Sequence, residues 1–184
     1  MSVVKTLYGE IDSRLITKLA KIKLLACDVD GVFSDGRIYL GNDGEELKAF
    51  HTRDGYGIKA IQKLGIQVAV ITGRSSNIVE RRMQNLGVAH IIQGEEDKGP
   101  ALQALTNKLK LAPSQIAAMG DDMPDIGMFE LAGIRLSVAD GHPYVRQQAD
   151  YVTCLHGGFG AVREICDLIL HAHKKQNQVH GSST

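Results

Sequence analysis

The run Ile22-Lys-Leu-Leu-Ala-Cys27 is apolar at nearly every position and ends in Asp28-Val-Asp30-Gly31. A short apolar run without alternation reads as a strand buried on both faces, and such strands belong to parallel sheets covered by helices. In those sheets ligands bind beyond the carboxyl ends of the strands. Two carboxylates at a strand end, with a glycine to permit the turn, therefore stand where chemistry takes place. Acids this close repel, so a cation or a shared proton is expected between them. The plainer reading is a polar strand-to-loop turn, where Asp and Gly are common.

The pattern recurs. Val68-Ala-Val-Ile71 ends in Thr72-Gly73-Arg74, and Ile116-Ala-Ala-Met119 ends in Gly120-Asp121-Asp122-Met-Pro-Asp125. Asp97-Lys98-Gly99-Pro100 opens a helical stretch, with Pro tolerated in the first turn. Singly, each has a plain alternative. Thr72 can merely end a strand, Lys98 can be a solvated helix start, and Asp121, Asp122 and Asp125 can be acids favoured by a helix dipole. Together they bring a nucleophile, a hydroxyl, a cation and paired acids to one sheet edge.

Strands alternating with helices predict an α/β fold, a three-layer doubly wound, Rossmann-like parallel sheet with right-handed crossovers. We expect one domain over residues 1–184. Helices are predicted over Asp12–Ala20, from a cap at Ser75 to Leu86, and over Lys98–Leu109, Ile126–Leu131 and Ala161–His173. Further strands are predicted at Ala89–Ile92, Ile134–Val138 and Tyr151–Val152. Residues 36–50 break the alternation, with Arg37-Ile-Tyr-Leu40 and Glu45-Glu-Leu-Lys-Ala-Phe50 flanking Gly41-Asn-Asp-Gly44. That is a β-hairpin signal, and a lone hairpin is marginal in water, so this one should dock against something. The polar tail, residues 174–184, is expected to be disordered when unbound.

Gly55-Tyr-Gly57-Ile-Lys-Ala60 matches a dinucleotide-binding pattern, but it follows the hairpin rather than the first strand of a βαβ unit, and we reject that function. The 21 basic and 21 acidic residues cancel, so no net field recruits nucleic acid or an anionic membrane. No segment approaches the ~18 apolar residues of a membrane span, and the N-terminus lacks a signal-type apolar region. Cys27, Cys154 and Cys166 have no metal-type spacing. A reduced, cytoplasmic protein is expected.

The Asp-x-Asp pair, the Thr after an apolar strand, the Lys and the Gly-Asp-Asp-x-x-Asp cluster appear in one order between Leu24 and Arg163. That order resembles the haloacid dehalogenase-like phosphotransferases. Asp35-Gly-Arg-Ile-Tyr39, His51-Thr-Arg-Asp-Gly-Tyr-Gly57, Ile71-Thr-Gly-Arg74 and Gly157-Gly-Phe-Gly-Ala-Val-Arg-Glu164 narrow it to capless phosphatases of acidic sugars. Phosphoryl transfer needs an in-line nucleophile, charge neutralisation and a metal. Asp28 is expected to be the nucleophile and Asp30 the general acid and base. Thr72 would donate to the phosphoryl group and Lys98 would neutralise it. Asp28, the Asp30 backbone carbonyl and Asp121 would hold Mg²⁺, a hard cation suited to oxygen. Asp122 and Asp125 would stand behind them, Asp125 orienting Lys98 or a metal-bound water.

The cationic surplus suits an acidic sugar, since Arg binds carboxylates bidentately. Besides Asp30 and Lys98, the candidates for substrate contact are His51, Thr52, Arg53, Asp54, Gly55, Lys59, Arg74 and Arg82. Arg74 and Arg82 are spaced to share a face of one helix, ~two turns apart. The gaps between motifs leave no room for a cap, so another subunit is the simplest cover. The resemblance implies a homotetramer whose hairpins meet centrally and roof neighbouring sites. It also implies hydrolysis of 3-deoxy-D-manno-octulosonate 8-phosphate in lipopolysaccharide inner-core synthesis. Two other readings stand beside it: a phosphatase for a nine-carbon, sialic-type sugar phosphate, and a phosphoacceptor signalling module. Asp30 argues against the second, because a built-in acid/base promotes hydrolysis.

Overall fold

A computed structural model describes residues 2–175. The chain opens with a hairpin of β1 (Val3–Thr6) and β2 (Gly9–Asp12), then α1 (Ser13–Leu19) and β3 (Leu24–Cys27). A second hairpin, β4 (Tyr39–Leu40) and β5 (Glu46–Leu47), precedes α2 (Thr52–Gln62). Then follow β6 (Gln67–Thr72), α3 (Asn77–Asn85), β7 (His90–Gln93), α4 (Lys98–Leu109), β8 (Ile116–Gly120) and α5 (Ile126–Phe129). β9 (Ile134–Ser137), α6 (Pro143–Gln148), β10 (Tyr151–Val152) and α7 (Ala161–Ala172) complete the described chain.

The central sheet has six strands in the order β10-β9-β8-β3-β6-β7, and every pairing is parallel. Leu25 and Cys27 of β3 face one core with residues of α1, α2, α3 and α7. Leu24 and Ala26 face a second core with residues of α4, α5 and α6. Successive strand residues point to opposite faces, which is why an unbroken apolar run marks a doubly covered strand. The expected three-layer, doubly wound sheet is thus observed. From β3 the chain winds outward through β6 and β7, then crosses to β8 and winds the other way. The reversal falls between β3 and β8, the topological switch point where such sheets bind ligands.

Several local expectations need correction. The β1–β2 hairpin and α6 add to the expected elements. The first has strands of only four residues with few apolar positions, and it is pinned by the Tyr8 hydroxyl, which donates to Asp167 at 2.7 Å. Ser75 does not cap α3. Ser76 occupies that position, and its N–H donates to the Gln93 side chain at 2.9 Å. Arg74 consequently lies in the turn before α3, so it does not share a helix face with Arg82. The hairpin within 36–50 pairs only Tyr39–Leu40 with Glu46–Leu47. Residues 176–184 of the expected tail lie outside the described residues.

The glycines of the rejected dinucleotide pattern sit inside α2, where Gly costs ~1 kcal/mol relative to Ala. Close approach of α7 explains one of them: a Cβ on Gly57 would stand 2.8 Å from Cys166 Cβ. Overpacking of this kind costs ~1–3 kcal/mol. Gly57→Ala is therefore expected to lower the melting temperature by a few degrees despite the gain in helix propensity. A raised melting temperature would show that the two helices separate freely.

Candidate active site

The three central strands deliver the acids and the hydroxyl. Asp28 directly follows β3, and its N–H extends the ladder by donating to Met119 O at 3.0 Å. Thr72 ends β6, β8 ends at Gly120 just before Asp121, and Lys98 is the first residue of α4. Asp28, Asp30, Thr72, Arg74, Lys98, Asp121, Asp122 and Asp125 line one cavity of about 460 Å³, together with Gly36, Gly73, Glu96 and Pro124. A groove of similar size between α1 and Asp150–Tyr151 has Glu10, Asp12, Arg14 and Lys18 along it but no clustered carboxylates around a buried cation.

Lys98 is the electrostatic centre. Its ammonium, nearly inaccessible to solvent, donates to Asp28 Oδ1 at 2.5 Å and to Asp125 Oδ1 at 2.7 Å. Burial presses the ammonium's pKa down, but the charges and hydrogen bonds of Asp28 and Asp125 outweigh this and leave it raised. Burial raises the Asp28 carboxyl, and the charge of Asp125 adds to it while Lys98 opposes it. Asp121 is raised further, by burial first and then by Asp28 and Asp125. One cation among three clustered acids leaves an uncompensated negative charge.

Oxygens of Asp28, Asp121 and Asp125 lie within 4.8 Å of one another. Asp125 is fully engaged otherwise: Oδ1 accepts from Lys98, and Oδ2 accepts the N–H groups of Asp121 and Asp122 at 2.8 and 3.1 Å. It orients the cluster rather than offering a free donor. Asp121 Oδ1, by contrast, is buried with no hydrogen-bond partner. An orphaned buried carboxylate oxygen beside Asp28 is what an absent hard cation would leave behind, so these oxygens fit Mg²⁺. Gly31 completes the cradle, with φ of +95° and a Cβ position that would collide with Asp121 Oδ2. Asp122 instead serves locally, accepting from Met123 N–H at 2.8 Å in the turn that starts the next helical segment.

The other expected substrate contacts are not brought to this cavity within the single chain. His51 stands just before α2, and its Nδ1 accepts from Arg53 N–H at 3.1 Å. Thr52 and Arg53 are exposed at the start of that helix, Lys59 is half-buried further along it, and Gly55 is buried in it. Asp54 is 1 % exposed and accepts from Arg163 N–H at 2.9 Å, joining α2 to α7. Burial pushes its carboxyl up to about 6, against the Arg163 hydrogen bond and the charges of Arg82 and Arg163. Arg82 is half-buried on α3, where burial lowers its pKa and the charge of Asp54 partly offsets this.

Three roles at the site were not readable from sequence, although the third residue, Glu164, closes the Gly157–Glu164 motif. Lys48, beyond β5, forms an ion pair with Asp30 Oδ1. Glu46 bridges Lys48 at 3.5 Å and Arg74 at 2.7 Å. Glu164 is fully buried on α7 and accepts from Tyr151 Oη and from the N–H groups of Cys154 and Leu155. It thereby anchors the Gly157-Gly-Phe-Gly160 loop. Gly158 N–H donates to Val32 O at 2.9 Å, and a Cβ on Gly157 would collide with Gly31 O. The glycines are there because backbone meets backbone behind the Asp28–Asp30 turn.

Comparison with known proteins agrees with this geometry. The haloacid dehalogenase-like hydrolase family matches residues 87–162. The 3-deoxy-D-manno-octulosonate 8-phosphate phosphatase of Salmonella typhi is 49% identical over 178 residues, 97% of this chain and 95% of that protein. The crystal structure of the phosphatase of that name from Yersinia pestis superposes with a TM-score of 0.95 at 47% identity, covering 98% of this chain and 97% of the other. The Moraxella catarrhalis enzyme, solved with magnesium, phosphate and 3-deoxy-D-manno-octulosonate, superposes with a TM-score of 0.86 at 47% identity, covering 90% and 96%. Identity of this order over nearly the whole of both chains decides the matter: the chain belongs to the haloacid dehalogenase-like hydrolase family and, within it, to the family of the 3-deoxy-D-manno-octulosonate 8-phosphate phosphatases.

Proposed function

We propose that the chain is a Mg²⁺-dependent phosphatase that converts 3-deoxy-D-manno-octulosonate 8-phosphate to the free sugar acid and phosphate, within lipopolysaccharide inner-core synthesis. The observation that carries the reading is the buried Asp28–Lys98–Asp125 cluster beside the unpartnered Asp121 oxygen at the sheet's switch point. Asp28, Asp121 and the Asp30 backbone carbonyl would hold the metal; no backbone N–H among the described residues bonds that carbonyl. The bound ion supplies charge neutralisation of the phosphoryl oxygens.

The chain's own residues carry the rest. The Asp28 carboxylate attacks phosphorus in line, forming an acyl-phosphate bond as the bond to the sugar oxygen breaks. Asp30 gives its proton to that leaving oxygen. Asp30 then takes a proton from water as the water attacks phosphorus, releasing phosphate and restoring the Asp28 carboxylate. General acid–base catalysis of this type is worth ~10²–10⁴-fold. Lys98, oriented by Asp125, offsets phosphoryl charge through both steps, and Thr72 donates a hydrogen bond to a phosphoryl oxygen.

Arg74 is exposed at the cavity rim, suitably placed for a sugar carboxylate. The functional protein is an oligomer, in our reading a tetramer. The hairpin leaves Ile38, Tyr39, Leu40 and Leu47 exposed, Leu40 by 73% and Leu47 by 61%. Apolar surface of that kind marks a contact. Subunit association would bring His51–Gly55, Lys59 and Arg82 toward a neighbour's cavity. No helix among the described residues is long and apolar enough to cross a membrane.

Phosphate release with Mg²⁺ from a panel of sugar phosphates tests the reading. Preference for 3-deoxy-D-manno-octulosonate 8-phosphate, lost on chelation, is the expected result. Preference for a nine-carbon acidic sugar phosphate would keep the mechanism and change the substrate.

A further inference from the structure

We propose that Lys48 is a positioning residue for Asp30, carried into the site by the hairpin of its own subunit. The inference rests on the phosphatase reading above, in which Asp30 is the acid and base. The Lys48 side chain is 0% exposed, and its ammonium ends on Asp30 Oδ1. A buried ammonium must be paired, and this one has two carboxylates. Glu46 lies on its other side at 3.5 Å and is itself held by Arg74 at 2.7 Å. Asp30, Lys48, Glu46 and Arg74 thus form a chain of alternating charge from the reacting centre to the cavity rim.

The chemistry explains why Asp30 needs such a partner. Rotation of a carboxyl about its last side-chain bond is soft, so an unheld Asp30 would sample many orientations. Proton transfer requires ~2.6–3.2 Å between the exchanging heavy atoms. Misplacement by ~1 Å can cost ~10²-fold in rate. With Oδ1 fixed by Lys48, Oδ2 is left for the leaving oxygen and afterwards for water. An exposed pair would do little of this, because a solvated lysine holds no fixed geometry; burial is what gives Lys48 its effect. The hairpin, expected from sequence to serve assembly, thereby acquires a role in chemistry within its own subunit.

The test compares wild type with Lys48→Met across alkyl and aryl phosphates that the wild type hydrolyses, including glycerol phosphate, which carries no carboxylate, and p-nitrophenyl phosphate. The ratio kcat/KM reports events up to departure of the leaving group, and an aryl oxide departs without a proton. Loss of ~10–10²-fold is expected for the alkyl esters and less than about threefold for the aryl ester. Lys48→Arg should recover part of the alkyl rate. Should the methionine variant fail to fold, Lys48→Gln is read in the same way. Equal losses on both ester classes would overturn the inference by assigning Lys48 to phosphoryl charge, and so would an undiminished alkyl rate. Wild-type inactivity toward every ester would instead overturn the phosphatase reading, and this inference with it.

Discussion

Asp28→Asn is expected to abolish turnover, with a fall in kcat on the order of 10⁴-fold or more, because an amide cannot take the place of the proposed Asp28 nucleophile in forming the phosphoryl bond. Thr72, Lys98 and Arg74, the proposed partners of the phosphoryl group and the sugar carboxylate, remain, so substrate is expected still to bind. The fold survives as well. Burial and the charge of Asp125 disfavour the Asp28 carboxylate, and Lys98 keeps Asp125 as its partner after the substitution. The metal-free variant should therefore melt no lower than the wild type. Phosphate release and a thermal melt check both halves. Acid-quenched mass spectrometry during turnover should find one phosphoryl group on the wild type and none on the variant. Activity retained within about tenfold would remove Asp28 as nucleophile.

Mg²⁺ should raise the melting temperature, and by more as pH rises. Asp28 and Asp121 have raised carboxyl pKa values, Asp121 to about 9, chiefly through burial. A carboxyl raised on folding contributes stability that is fully present below its unfolded pKa of ~4 and is lost as pH climbs through the folded value. The metal-free protein is thus expected to lose stability between pH ~4 and pH ~9 through this pair. Mg²⁺ binds the ionised form, so its stabilisation grows over the same interval. At a concentration ~100 times Kd the gain is ~2.7 kcal/mol, or roughly 5–10 °C for a chain of this length. Melting curves with Mg²⁺ and with EDTA at several pH values give the result directly. A metal-induced shift independent of pH would mean that these carboxyls are already ionised without the metal.

The strand–motif pairs were legible in sequence because each is local. An apolar run followed within a few residues by Asp28, Thr72 or Asp121 specifies a doubly covered strand and a polar residue at its carboxyl end. Parallel pairing then aligns those ends without further information. Lys98 was legible for a related reason, since Pro100 and the preceding Asp97 mark the start of its helix. The family resemblance added the roles and the substrate, which no periodicity encodes.

What the sequence by itself determined is therefore the succession of the six central-sheet strands and the motifs at the ends of β3, β6 and β8, but not the β1–β2 hairpin or α6. Only the tertiary structure decided that Lys48 reaches Asp30 across 18 residues and that Asp54 accepts from Arg163 across 109. It also decided that Asp125 turns inward to Lys98 while Asp122 caps its own turn. Local composition carries no record of such pairings. A lysine on a short hairpin reads as solvated surface, and an Asp in a helix start reads as a cap or a ligand. Burial gives each its partner, and burial is a property of the assembled layers.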